Sequence, residues 1–106
     1  MPLARVLGPG GNLPTYLRLV NLTDAAVRNV NRMGEMLADA RKIWEAHGCR
    51  ILQAWSTFGP YDVVTLIEGP DDATVMKASA LIAKQGNFRG ITMPAVPLAD
   101  FIASVK

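Results

Sequence analysis

Residues 57–62 read Thr57-Phe58-Gly59-Pro60-Tyr61-Asp62, and this short turn decides the fold. Pro60 fixes its own φ angle and pushes Gly59 towards extended backbone, so the chain reverses within a few residues. The residue types of 49–58 and 61–68, on either side of the turn, favour β-strands. Two strands joined by so short a turn make an antiparallel hairpin.

The helices are predicted on either side of this hairpin. A first helix begins after Thr23, a residue type that caps helix N-termini, and ends at Gly48. Gly34 lies inside that run and predicts a kink or break beside it. A second helix spans residues 70–85, and Pro97 begins a short terminal helix.

Residues 15–21 and 88–95 also favour strands, so the predicted order is β-α-β-β-α-β, the ferredoxin-like arrangement. The predicted fold class is therefore α+β, with one antiparallel four-stranded sheet. Right-handed crossovers place both main helices on one face of it. Residues 1–13 are rich in glycine and proline and predict a flexible leader. Residues 14–106 are predicted to form a single domain.

The two faces of this sheet differ in polarity. One face, which we expect to meet the helices, carries Leu17, Leu19, Leu52, Ala54, Val64, Leu66, Ile91 and Met93. The other carries Tyr16, Arg18, Val20, Ile51, Gln53, Trp55, Thr57, Tyr61, Val63, Thr65, Ile67 and Thr92. This second face is too apolar for water and too polar for a dry core. We therefore expect a homodimer or higher homo-oligomer, with two sheets face to face and a cavity between them.

Composition and charge exclude several classes of protein. Half of the 106 residues are hydrophobic, which argues against a disordered chain. The net charge is only +2, without a run of like charge, so we expect neither nucleic acid nor a membrane as a partner. The start of the chain does not resemble a signal peptide, and the single cysteine, Cys49, fits a reducing cytoplasm.

Three segments together resemble the GYD domain family, which belongs to the wider group of dimeric α/β-barrels. They are Tyr16 to Asp24, Gly59-Pro60-Tyr61-Asp62-Val63-Val64, and Glu68-Gly69-Pro70-Asp71-Asp72. Pro60 separates Gly59 from Tyr61, so the match is to a Gly-x-Tyr-Asp pattern. The resemblance implies the fold and an oligomer, and it transfers no catalytic residue to this chain.

Six residues are predicted to bind a ligand in the cavity between sheets: Tyr16, Arg18, Gln53, Trp55, Tyr61 and Thr65. An arginine brought into a sheet interior needs a carboxylate, carbonyls, water or an anionic ligand. One interpretation of Arg18 is an intersubunit ion pair with Glu68 or Asp62. The other is a pocket for a small, partly apolar acid, with Trp55 and Tyr16 as walls.

The remaining polar residues have structural interpretations. Asp62 is predicted to accept backbone N–H groups of the turn, while Tyr61 packs at the sheet end or donates to a ligand. His47 lies at the end of the first helix, where it favours the negative helix end. Cys49 is predicted to be an inert core thiol. One histidine and one cysteine make no metal site, so neither a metal nor a cofactor is predicted.

Three functions remain open on these residues. The first is a small homo-oligomeric binding protein with a cavity between sheets. The second is a cofactor-independent enzyme of the dimeric α/β-barrel kind, an isomerase, lyase or oxygenase. The third is a purely structural oligomer. Binding ranks above catalysis because the predicted cavity face holds no evident general base.

Overall fold

A computed structural model describes residues 13–106, so the predicted leader lies outside the described residues except for Leu13. The strands are β1 (Thr15–Leu22), β2 (Arg50–Ser56), β3 (Val63–Glu68) and β4 (Phe88–Ala95). The helices are α1 (Asp24–Arg28), α2 (Met33–Ala46), α3 (Asp72–Lys84) and α4 (Leu98–Ser104). A 3-10 turn, Val30–Arg32, connects α1 to α2.

The four strands form one antiparallel sheet in the order β2-β3-β1-β4. The predicted α+β class, hairpin and chain order are confirmed, since α1 and α2 together make the first crossover and α3 makes the second. β4 has the predicted bounds, whereas β2 and β3 are shorter at the turn than predicted. The terminal helix α4 begins directly after Pro97, as predicted.

The predicted break in the first helix is also confirmed, and it changes which residues are buried. Thr23 caps α1 by accepting the N–H of Ala26 at 3.2 Å. The helix ends at Arg28, and α2 begins beyond the 3-10 turn. Val27 and Val30 recur at helical spacing with the buried Ala40 and Trp44 of α2, yet each is 54% exposed, so the segment before α2 does not continue its buried stripe.

The core lies between one face of the sheet and the helices α2 and α3. Its strand residues are Tyr16 and Val20 of β1, Val63 and Ile67 of β3, and Phe88 of β4. Its helix residues are Met36, Ala40 and Trp44 of α2 and Val75, Ala78 and Ile82 of α3. Both helices therefore cover the same face of the sheet, as the crossover rule predicts.

The face that meets the helices is the opposite of the predicted one. Tyr16, Arg18 and Thr65, which we placed on the open side, are buried beneath the helices. Leu17, Leu19, Val64 and Leu66 point the other way and are only partly buried. The prediction correctly divided alternate residues between the two faces, but it chose the wrong face as the core. Both sets contain enough apolar residues to build a core, so the pattern alone did not distinguish them.

A β-bulge also changes the predicted alignment of β2. Ile51 pairs with Ile67 and Gln53 pairs with Leu66, so Leu52 is the extra residue. Strict alternation would place Gln53 and Trp55 on the same face as Ile51, but the extra residue reverses the faces beyond the bulge. Gln53 and Trp55 are therefore on the face away from the helices, together with Leu66 and Val64.

Candidate functional site

Arg18 is the one arginine among the described residues that is buried, with 5% of its surface exposed. Its Nη1 donates to Thr92 Oγ1 at 2.6 Å and to Ser79 Oγ at 3.0 Å. Its guanidinium carbon lies 5.3 Å from the ring centroid of Trp44, which is within cation–π range. Burial lowers the pKa of the Arg18 guanidinium. The charge is thus held by two hydroxyls and an aromatic face.

Within its own chain, Arg18 contacts neither of the two carboxylates that were considered for an intersubunit ion pair. Glu68 accepts from Arg50, with Arg50 Nη2 3.0 Å from Glu68 Oε1. Asp62 Oδ2 accepts the backbone N–H of Leu22 at 2.9 Å. Arg18 itself points towards the helices, where its partners are Ser79 and Thr92.

The acceptor role of Asp62 was correct in kind, but its donor was unexpected. The bond from Leu22 ties the hairpin to β1, and the backbone N–H of Asp62 donates to Val20 O at 2.9 Å. Within the turn, Thr57 closes the loop by donating its hydroxyl to Tyr61 O at 2.7 Å. The Tyr61 side chain is half-buried at this end of the sheet.

Tyr16 is a second buried polar side chain of β1. Its hydroxyl donates to Asp72 Oδ1 at 2.6 Å, which joins the sheet to the first turn of α3. Burial and the bond to Asp72 both raise the pKa of the Tyr16 phenol, burial being the larger cause. In this arrangement Tyr16 is a structural donor between two elements.

A small cavity of about 30 Å³ lies between the sheet and the helices. Arg18 and Thr65 are the polar residues of a lining that is otherwise apolar, from Val20 to Phe88. A cavity needs roughly 10–15 Å³ of space open to the centre of a water molecule to hold it, so this space suits one or two waters.

The face of the sheet away from the helices, which we call the open face, carries a contiguous set of apolar side chains. Across the four strands, one row of neighbours is Trp55, Val64, Leu19 and Ile91, and the adjacent row is Gln53, Leu66, Leu17 and Met93. Trp55 is 47%, Ile91 50% and Met93 38% exposed. Seven of these eight side chains are apolar, and contiguous apolar patches on a surface mark interaction sites.

The structure therefore divides the six predicted ligand residues among three places. Tyr16, Arg18 and Thr65 lie beneath the helices, Gln53 and Trp55 lie on the open face, and Tyr61 lies at the hairpin. No single wall within residues 13–106 brings all six together. Their role in ligand binding remains a prediction.

His47 and Cys49 follow their structural interpretations. His47 Nδ1 lies 2.8 Å from Ile43 O, so the ring bonds the last turn of α2, as predicted. Cys49 is 3% exposed, and burial raises the pKa of its thiol. In the described part of the chain, no group of three His, Cys, Asp or Glu side chains is placed to hold a metal ion. None of the described helices has the length and apolar character needed to cross a membrane.

Sequence reasoning missed a groove on the outer side of the helices. It lies between α2 and α3, has a volume of about 510 Å³ and is lined by Lys42, Ile43, Ala46, His47, Leu81, Lys84 and Gln85. The signal in the sequence was weak: Ile43 and Leu81 are apolar positions next to lysines on otherwise polar helix faces.

Replacing Arg18 with Met is expected to change the free energy of unfolding by less than about 1 kcal/mol, or to raise it. A methionine side chain fills most of the space of the arginine. It avoids the desolvation penalty of the Arg18 guanidinium, which is buried without a carboxylate partner. Ser79 Oγ and Thr92 Oγ1 already form a hydrogen bond of 3.4 Å, so each hydroxyl keeps a partner in this variant. Arg18→Ala leaves a void against Trp44, and its free energy of unfolding is expected to decrease by about 2 kcal/mol. Urea denaturation at neutral pH measures both variants. Equal losses for the two would show that the positive charge itself is required.

The Tyr16 phenol makes stability sensitive to alkaline pH. The folded protein holds this proton more tightly than the unfolded chain, whose tyrosines titrate near pH 10. Its contribution to stability is therefore complete below about pH 10 and decreases as the pH rises further. At neutral pH the free energy of unfolding of Tyr16→Phe is expected to be about 1–2 kcal/mol below that of the unmodified protein. Above about pH 10 this difference is expected to become smaller, because the unmodified protein loses the contribution of the Tyr16 proton. Denaturation curves across this range test it, with Tyr61→Phe as the matched control. A deficit that does not change with pH would contradict the assignment.

Two comparisons with known proteins bear on this geometry. The family model described as the GYD domain matches residues 16–105, nearly the whole chain. A protein of Thermus thermophilus is 33% identical over 95 residues, which cover 89% of this chain and 100% of that relative. The relative is named glutamine synthetase and cystathionine beta-lyase binding protein.

Proposed function

The chain belongs to the GYD domain family, and from this premise we propose that it is a homo-oligomeric protein that binds other proteins, metabolic enzymes among them. The resemblance seen in the sequence is confirmed at the level of the family. The binding of other proteins is our proposal.

The observation that carries the proposal is the full-length match to a relative named for what it binds. The aligned region covers all of that protein, so no additional domain of the relative is needed to supply its binding surface. A chain of the same family and similar extent is expected to keep the same mode of action. Enzymes of the glutamine synthetase and cystathionine β-lyase classes are therefore the first partners to test.

The homo-oligomer is supported by the open face. The uncovered side of the sheet carries two adjacent rows in which seven of the eight side chains are apolar, and a patch of this kind marks an interaction site. A second copy of the chain offers the same rows, and a two-fold axis brings like patches together. The terminal helix α4 adds exposed apolar side chains, with Leu98 71% and Phe101 56% exposed. We propose that two sheets pack face to face, as in a dimeric α/β-barrel.

A small-molecule site between the two sheets is the second candidate function. Gln53 is the one polar side chain in the two apolar rows, and it lies next to Trp55 along β2 on the same face. A partly apolar molecule held in the interface would meet both. Arg18, the residue expected to bind an acid, lies on the other side of the sheet. This candidate therefore ranks below protein binding.

The remaining properties are carried over from the sequence-based predictions as proposals. The alternatives of a cofactor-independent enzyme or a purely structural oligomer stay as predictions beside these proposals. A cytoplasmic location fits the lone reduced cysteine and a role beside metabolic enzymes.

The test of protein binding is a titration of the purified protein with glutamine synthetase and with cystathionine β-lyase from the same organism, measured by isothermal titration calorimetry. We expect saturable binding to at least one enzyme, with a micromolar or lower dissociation constant. Serum albumin is the control. Absence of binding to both enzymes would remove the proposal.

A further inference from the structure

The groove between α2 and α3 is the surface that this fold leaves available when the open face is covered. The core side chains of both helices point towards the sheet, so the groove lies on the other side of the helical layer from the proposed dimer contact. Each protomer would therefore present one groove outward. This placement suits a partner other than a second copy of the chain.

The walls of the groove are apolar. Ile43 and His47 are half-buried, and Leu81 remains 37% exposed although it lies opposite them. Ala46, which also lines the groove, is small and exposed. An apolar side chain of a partner would fill this space and remove Leu81 from water, which is favourable.

The rim of the groove is positively charged. Lys42 and Lys84 both line it, one on each helix. The ion pairs among residues 13–106 are Arg32–Glu35 and Arg50–Glu68, so neither lysine is engaged in one of them. Lys84 also complements the negative end of α3, whereas Lys42 lies a full turn before the end of α2. Two such ammonium groups around an apolar slot are complementary to carboxylates next to an apolar side chain.

We propose that this groove docks an acidic, amphipathic segment of the partner protein: an apolar side chain between Ile43 and Leu81, with flanking carboxylates on Lys42 and Lys84. The inference rests on the proposed protein-binding function and names the chemistry of the partner. It assigns the binding surface to the helical layer, away from the sheet.

A peptide probe tests the groove without any enzyme. The probe is an acetylated, amidated peptide of sequence Glu-Glu-Leu-Leu-Glu-Glu, titrated into the ¹⁵N-labelled full chain and followed by NMR. We expect amide shifts to concentrate on the groove residues and to weaken with added salt, because the rim contacts are electrostatic. A peptide with Lys for Glu is expected to bind at least about tenfold more weakly. No binding, or shifts confined to the open face, would overturn the proposal.

Charge reversal with a matched control gives the second test. The double variant Lys42→Glu with Lys84→Glu is expected to lose at least about tenfold in affinity for the peptide, since each pair changes from attraction to repulsion. Leu81→Ala is expected to lose about fivefold through lost apolar contact. Met76→Ala changes an exposed residue of α3 that does not line the groove, and this variant is expected to bind the peptide as the unmodified protein does. Equal affinities across all variants would overturn the proposal.

The same variants separate this inference from the proposed function. If the unmodified protein and the double lysine variant bind an enzyme equally, protein binding stands and the groove is not the site. If no enzyme binds while the peptide binds as expected, the groove stands and the named enzymes are not its partners. A parallel loss of enzyme and peptide binding supports both.

Discussion

Replacing Leu19 with Glu is expected to convert the proposed homodimer into folded monomers. Leu19 lies on the central strand β1, between Val64 of β3 and Ile91 of β4, so it is at the middle of an apolar row of the open face. In a face-to-face dimer a glutamate there would be buried without a partner. Burying an unpaired carboxylate is strongly unfavourable, and two-fold symmetry makes the change count twice.

The magnitude should be large enough to measure directly. We expect a loss of at least about 4 kcal/mol of association free energy, which is about a thousandfold in dissociation constant. Native mass spectrometry and sedimentation velocity give the mass of each variant, and the same mass spectra show whether a small molecule is retained in the interface. Circular dichroism shows whether the monomer is still folded.

Met76→Glu is the matched control, because Met76 is 71% exposed on the helical side of the molecule. This variant is expected to remain a dimer. A monomeric unmodified protein would contradict the covered sheet altogether. A dimeric Leu19→Glu variant would place the dimer contact elsewhere on the molecule.

Replacing Gly69 with Ala is expected to lower the free energy of unfolding by about 3 kcal/mol. Gly69 is buried directly after β3, and its N–H donates to Pro14 O at 3.0 Å. A Cβ there would lie 2.5 Å from Val75 Cγ2 and 3.1 Å from Cys49 Sγ. Both neighbours are fixed in the core, with Val75 1% and Cys49 3% exposed, so neither can withdraw easily. Thermal and urea denaturation measure the loss.

Two further variants show that the clash, rather than the residue type, is responsible. Gly34→Ala, in α2, adds a Cβ with no heavy atom within 4 Å and is expected to stabilise the protein by about 0.5 kcal/mol. Val75→Ala removes the clashing methyl, so the loss from Gly69→Ala is expected to be smaller in the Val75→Ala background. Additive effects of the two changes would refute the steric explanation.

Local sequence determined the elements of this protein. The hairpin at 57–62, the cap at Thr23 and the break beside Gly34 were predicted because each depends on residues close together in the chain. The four strands and the α+β class followed from residue type and period. The family resemblance, carried by short segments spread over the chain, was confirmed over residues 16–105.

The candidate site was predicted less well, because it depends on which side of the sheet the helices cover. The set with Leu17, Leu19 and Leu66 is the more apolar and was expected in the core. The helices instead cover the set with Tyr16 and Arg18. Those two side chains find Asp72 and Ser79 on α3, partners more than 50 residues away that no local pattern shows.

The sequence by itself therefore determined the strands, the helices, their order and the family of this protein, since these follow from interactions between near neighbours. Only the tertiary structure decided which face is the core, where the bulge at Leu52 places Trp55, and that an open groove lies between α2 and α3. The physical reason is that each of these depends on long-range packing. An alternating strand supplies two faces, and the hydrogen bonds and shapes of distant helices select between them.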